Sequence, residues 1–353
     1  MSRKLKFLLI AMLAAGILAS ASVAVLGCGG GTTTSEATTA ATTATQSTAD
    51  ILSARANNVL ASIPSSGDFA NNSIDGDKLA AMLADPAQKA NIYILDVRQQ
   101  ADYAKGHIAG AAHVDFPQWA SPDNLSKLPK DKKVVVVCYT GTTAGQVVGG
   151  LRMLGYDAVV LKGGMNGWAQ DQTQSAVESD LSSTSYPVVT TPSPYTSMPA
   201  PAGVVFQKPS ASDYSAIAQA ANSYFSSKMQ TSGDYANNSI VAAKLSSKLG
   251  GADKPYILDI RQKADYDKGH IAGAVNMDLT SVAVPQNLQQ LPKDKKIVVV
   301  CYSGNTASQV TAVLDMLGYD AALLKYGMIS WDGTGKDAYL QYIKSANNPV
   351  VTG

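Results

Sequence analysis

Cys138 and Cys301 each stand where an apolar run stops and a loop rich in glycine and hydroxyls begins: VVVVCYTGTTAGQ (134–146) and IVVVCYSGNTASQ (297–309). A cysteine that ends a strand and is followed by a tight turn into a helix is surrounded by inward-pointing backbone N–H groups. Such a nest, together with the helix N-terminus, stabilises an anion and so favours the nucleophilic thiolate over the thiol. The candidate anion-binding groups are Tyr139, Thr140, Gly141, Thr142 and Thr143 in the first loop, and Tyr302, Ser303, Gly304, Asn305 and Thr306 in the second. Gly141 and Gly304 permit the turn, while the threonines and Asn305 can add side-chain donors. The alternative is an inert cysteine that merely closes a strand. Its recurrence in two matching loops, in a chain whose only other cysteine is Cys28, argues against that. The three histidines and three cysteines show no CxxC or HxxxH spacing, so no metal site and no cofactor is expected.

The elements that would position these loops can be read from patterning. In the first half, NIYILDV is a buried strand ending at Asp96-Val97, QQADYAKG a short helix, AAHVD a strand, and KKVVVVC a wholly apolar central strand. TAGQVVGGLRMLGY reads as a helix and AVVLKGG as a further strand. Continuous apolar strands alternating with helices imply a parallel sheet covered on both faces, an α/β architecture in which ligands bind beyond the carboxyl ends of the strands. Both cysteines fall at that edge.

The chain is a tandem repeat. YILDVRQQADYAKGHIAGA (93–111) returns as YILDIRQKADYDKGHIAGA (256–274), at an offset of 163 residues that holds through Cys138/Cys301 to Trp168/Trp331. SGDFANNSI (66–74) returns as SGDYANNSI (232–240), and PVVT occurs at 187–190 and 349–352. The expected units are 50–190 and 211–353, joined by a Pro/Ser-rich, fairly stiff linker over 191–210. Such a linker suggests two units that work independently.

Taken together, ILDVRQQADYAKGHIAGA with VVVVCYTGTTA…LRMLGYDAVVLKGGMNGW, and ILDIRQKADYDKGHIAGA with VVVCYSGNTA…LDMLGYDAALLKYGMISW, resemble the rhodanese (sulfurtransferase) family, over most of each unit. The resemblance implies two rhodanese-like α/β domains, each a short parallel sheet flanked by helices. It also implies a ping-pong transfer in which Cys138 and Cys301 carry a persulfide between a small sulfur donor such as thiosulfate and a thiol or cyanide-like acceptor. Asp96/Arg98 and Asp259/Arg261 belong to the family's strand-end signature; they would brace the active loops or, the favoured reading, serve only as structural ion pairs. His107 and His270 read as turn-stabilising rather than catalytic, His113 faces Asn276 in the second copy, and Trp168 and Trp331 would pack the core or wall the site. Two departures stand out. Neither loop carries Arg or Lys to hold a sulfonate, and Gly163 is replaced in the second copy by Tyr326, which would either crowd the second pocket or be a tolerated turn residue, so the first site is the safer one. A phosphatase-type loop would need an arginine closing on the oxyanion, and none follows Cys138 before Arg152. The alternative outside enzymology is a slow or non-catalytic persulfide carrier or partner-binding module at the cell surface.

The start of the chain reads as an export signal. Arg3, Lys4 and Lys6 precede a long apolar run that ends in Val-Leu-Gly before Cys28, a pattern resembling a bacterial lipobox. Residues 1–28 would then be a lipoprotein signal with Cys28 lipidated, the alternative being an uncleaved transmembrane anchor, and 29–49 a Thr-rich solvated tether. The expected location is extracytoplasmic, on a bacterial membrane through the lipid anchor. A net charge of +1 with 16% charged residues gives no reason to expect nucleic acid as a partner.

Overall fold

The computed structural model describes residues 46–170, 173–182, 185–191, 195 and 197–353. The basic start, the apolar run, Cys28 and the tether up to residue 45 lie outside the described residues. Among the described residues no helix is long and apolar enough to cross a membrane.

Each repeat builds one five-stranded sheet in which every pairing is parallel. In repeat one, β1 (Ser73–Ile74), β2 (Ile92–Asp96), β3 (Ala112–His113), β4 (Lys133–Val137) and β5 (Ala158–Leu161) lie in the order β1-β5-β4-β2-β3. In repeat two, β6 (Ser239–Ile240), β7 (Tyr256–Asp259), β8 (Val275–Asn276), β9 (Ile297–Val300) and β10 (Ala321–Leu324) repeat it as β6-β10-β9-β7-β8. The central strands β4 and β9 are buried on both faces, which is why their valines run without alternation. Register places Asp96 beside Val137 and Asp259 beside Val300, the residues that precede the two cysteines. The two-residue edge strands β1 and β6 are too short to leave a hydrophobic period and were not expected. Each follows an Asn-Asn turn whose residues all take left-handed backbone angles, with φ between 50° and 56°, a conformation that asparagine tolerates better than most side chains.

The two repeats do not behave as beads on a linker. Residues 46–353 form one compact unit, and the expectation of independent units is not met. The helix that follows each cysteine loop, Thr142–Met153 in repeat one and Asn305–Met316 in repeat two, packs against its counterpart. Gly145 meets Ser308, and Gly149 meets Gln309 and Ala312. Beside this contact the buried Gln146 and Gln309 each reach into the other repeat. Gln309 Nε2 donates to the carbonyl of Asn71 (3.0 Å) while its Oε1 accepts from Asn72 Nδ2 (2.9 Å). Gln146 Nε2 donates to the carbonyl of Asn237 (2.8 Å). The duplicated ANNSI segment therefore has two tasks, turning the chain and receiving the opposite glutamine.

The repeats also exchange their ends. PVVT of repeat one docks on repeat two, where the Val189 and His270 backbones bond reciprocally and Trp331 Nε1 donates to the carbonyl of Pro187 (3.1 Å). PVVT of repeat two docks on repeat one, where Val351 bonds His107 in the same way and Trp168 Nε1 donates to the carbonyl of Pro349 (2.9 Å). The N-terminal helix Thr48–Ala61 likewise packs on the Leu279–Ser281 turn of repeat two. The segment between the units is held as well. Asn287 bonds Tyr195 and Met198, and the Phe206 ring lies under the guanidinium groups of Arg55 and Arg152 at 4.8 and 4.1 Å. These contacts tie Tyr195, Met198 and Phe206 to the two repeats.

Candidate active site

Each thiol sits at the floor of its loop. Cys138 Sγ accepts the N–H of Gly141 at 3.1 Å; Cys301 Sγ accepts that of Gly304 at 3.1 Å and that of Ala307 at 3.4 Å. Both glycines have φ of 88° and cap the following helix, so the turn aims backbone donors back at the sulfur. The loops are braced from below by the turn after β5 or β10. The carbonyls of Cys138 and Tyr139 accept from Met165 and Asn166, and those of Cys301 and Tyr302 from Met328 and Ile329. A Cβ at Gly164 would stand 2.3 Å from the Cys138 carbonyl, and one at Gly327 2.2 Å from that of Cys301. That contact is why the second glycine of GGM survives in both repeats while the first is free to become Tyr326.

The strand-end pairs lie behind the loops. Arg98 grips Asp96 through Nε and Nη2 (3.1 and 2.8 Å) and also donates to the carbonyl of Gly106; Arg261 repeats this with Asp259 and Gly269. All four side chains are buried. His107 and His270 bond the carbonyls of Tyr103 and Tyr266 and stack on those tyrosine rings, as turn-stabilising residues do. His113 Nε2 bonds the carbonyl of Arg98 (2.7 Å), and Asn276 Nδ2 donates to that of Arg261 (2.9 Å). The apparent mismatch between these two residues thus hides one shared contact. Tyr139 and Tyr302 donate to the carboxylates of Asp102 and Asp265 (2.6 and 2.7 Å). Burial first, and then that carboxylate, push the Tyr302 phenol up to about 12 and raise that of Tyr139 further, so both remain neutral donors.

Above the loops the repeats meet again. Cys138, Tyr139, Thr140, Thr142 and Thr143 line a cavity of about 470 Å³ whose other wall includes Asn237, Lys325 and Tyr326 of repeat two. Ser303, Gly304 and Asn305 line a second cavity, of about 250 Å³, with Lys162 and Gly163 of repeat one and Tyr339 and Tyr342 of the final helix; Thr140, Gly141 and Thr142 reach this cavity too. Tyr326 therefore differs from its expected placement. Its backbone rests against its own loop, near Gly304, but the residue lines the Cys138 cavity of the other repeat, with its phenol near Thr140. The crowding falls on the first site. Sequence reasoning also missed Lys162 and Lys325. The signal was present, since a lysine occupies the same place in LKGG and LKYG, but only the packing of one repeat on the other gives it meaning.

The Rhodanese-like domain model matches residues 75–171 and 241–334. The chain belongs to the rhodanese family and holds two such domains. It is 30% identical over 97 residues to the putative sulfurtransferase YtwF of Bacillus subtilis, covering 28% of this chain and 92% of that protein. It is 34% identical over 100 residues to a sulfurtransferase of Allochromatium vinosum, covering 28% of this chain and 89% of that one. Among solved structures, a rhodanese-like domain protein from Staphylococcus aureus is 32% identical with a TM-score of 0.25, covering 29% of this chain and 94% of its own.

Proposed function

We propose that this protein is a rhodanese-type sulfurtransferase that moves sulfane sulfur from a small donor such as thiosulfate to a thiol or cyanide-like acceptor, with Cys138 and Cys301 as the carriers. The observation that carries this reading is the pair of thiols, each at the floor of a loop whose backbone N–H groups point at the sulfur. The thiolate attacks the outer sulfur of thiosulfate, and sulfite leaves with the electron pair of the broken S–S bond. The enzyme-bound persulfide is an anion one sulfur longer, and the same loop donors receive it. A nucleophilic acceptor then attacks the outer sulfur and the cysteine thiolate leaves. Loop hydroxyls of Thr140, Thr142 and Thr143 line the cavity where the donor would lie.

Intact-mass measurement after incubation with thiosulfate tests this. The expected result is a gain of one sulfur atom at each cysteine, reversed by cyanide. Thiols that stay unmodified with every sulfane donor would remove the reading and favour a partner-binding module. We further propose attachment to the outside of a bacterial membrane through lipidated Cys28. That rests on the basic residues, apolar run and small residue before it. Cys28→Ser should abolish incorporation of labelled lipid; a wild-type chain that incorporates none would end this proposal.

A further inference from the structure

We infer that repeat two supplies the first active site with the cation that its own loop lacks: Lys325 of repeat two serves the Cys138 cavity of repeat one. The substrate class this selects is an anionic sulfane donor, one whose sulfur carries a sulfonate-like tail. The inference rests on the transferase reading for its substrate but not for its geometry.

The loops themselves contain no Arg or Lys, yet a donor such as thiosulfate brings a dianion to a thiolate. Backbone N–H groups at the floor already serve the sulfur, so the tail needs a positive group at the wall. Lys325 follows β10 directly, and its backbone N–H is fixed by the carbonyl of Ile240 in β6. Its side chain borders the same cavity as Cys138, Thr140 and Thr143. The ammonium is held there by Asp180 of repeat one, Nζ to Oδ2 2.6 Å, with both side chains a little under one-third exposed. Lys162 is the positional counterpart, but Thr140, Gly141 and Thr142 of its own loop line its cavity, and Cys301 is not among the lining residues. Lys162 follows β5, its N–H is fixed by the carbonyl of Ile74, and it borders the Ser303–Asn305 cavity, held by Asp75 at 2.9 Å.

Position for position these lysines are each other's counterparts, while their carboxylate partners come from unrelated places in the chain. Asp180 lies at the end of a helix in repeat one, and Asp75 lies in the turn after β1. The shared feature is therefore the cation at the cavity, not the ion pair. A partly exposed pair of this kind is worth little as a brace, and its ammonium has donors left to offer an incoming anion.

Alkylation by a charged and a neutral reagent tests the inference without requiring turnover. The rate of iodoacetate relative to iodoacetamide at each cysteine reports the charge in its own cavity. Lys325→Met should lower that ratio at Cys138 by about threefold, the order expected when one partly screened charge leaves a cavity rim, and leave the ratio at Cys301 unmoved. Asp180→Asn, which keeps the lysine and frees it from its partner, should raise the ratio at Cys138. This variant keeps the test decisive if Lys325→Met folds poorly. A ratio at Cys138 that is unchanged in folded Lys325→Met, that falls equally at both cysteines, or that drops in Asp180→Asn overturns the inference. A protein that shows these shifts but accepts no sulfur from thiosulfate keeps the inference and loses the transferase reading.

Discussion

Gly145 and Ser308 occupy the same place in the two repeats and touch each other where the two loop helices pack. A Cβ added at Gly145 would lie 1.8 Å from Ser308 Oγ, 2.9 Å from Ser308 Cβ and 3.1 Å from the carbonyl of Asn305. Rotating the hydroxyl relieves the first clash, at the loss of its 2.6 Å bond to the Asn305 carbonyl. No rotation relieves the second, so the helices must move apart. Overpacking of this kind costs about 1–3 kcal/mol. Alanine offsets part of that, because it is favoured over glycine inside a helix by ~1 kcal/mol. The net expectation for Gly145→Ala is a loss of about 0–2 kcal/mol. Gly145→Ala with Ser308→Gly removes the obstructing side chain and should recover most of it, with a coupling of about 1–2 kcal/mol between the two sites. Urea unfolding followed by the fluorescence of the three buried tryptophans measures both. If Gly145→Ala is more stable than the parent, helix propensity has won, and the helices do not meet as described. Zero coupling would refute the contact in the same way.

Arg98→Met leaves the Asp96 carboxylate buried without its guanidinium partner, so a loss of about 3–5 kcal/mol is expected in urea unfolding; Asp96→Asn in the same chain should return part of it. Burial holds the Asp315 carboxyl well above the usual carboxylate range, against the opposing bonds from Tyr224 and Ala321. The folded state therefore binds this proton more tightly than the unfolded one. Its contribution is full below the unfolded value of about 4 and is lost as pH rises through the folded value. Asp315→Asn should flatten that part of the stability profile, and an unchanged slope would contradict the assignment. Deleting residues 346–353 removes the partners of His107 and Trp168 but not those of His270 and Trp331. Hydrogen exchange should accordingly rise around 103–113 in repeat one and not around 266–276 in repeat two. The reverse pattern would mean that each tail serves its own repeat.

What the sequence made legible was whatever depends on a local pattern. The run KKVVVVC announces a strand covered on both sides, and the glycine three residues after each cysteine announces the turn. The strand-end Asp-Arg pairs and the turn histidines have the roles their types suggested. What escaped depends on the approach of one repeat to the other, which leaves no period in the chain. PVVT reads as a boundary marker, but its backbone is spoken for by the opposite repeat. Tyr326 reads as an obstacle to its own loop because sequence neighbours are the only neighbours a sequence shows. At φ of 61° its Cα is set as Gly163 is in the other copy, and the ring is carried across to the Cys138 cavity.

Packing a duplicated unit on itself also explains where the copies had to diverge. When two copies meet through equivalent faces, a residue at the contact touches its own counterpart, so there is room for one side chain and not two. Gly145 against Ser308 is that case, and Gly149 facing Ala312 and the Gln309 backbone is a milder one, with a Cβ at Gly149 reaching 2.6 Å from the Gln309 carbonyl. Farther out, where each residue meets a different partner, the copies can stay alike: Gln146 and Gln309 both find an Asn-Asn turn, and Lys162 and Lys325 both border a cavity with a loop of the other repeat. The same logic separates the two sites. Repeat two sends a tyrosine to Cys138 where repeat one sends only Gly163 to the other cavity, while Tyr339 and Tyr342 fill that second cavity from the final helix. The two thiols have matching loops beneath them and different walls above. Over Cys138 part of that wall comes from the other repeat, whereas the tyrosines of the second cavity come from repeat two itself.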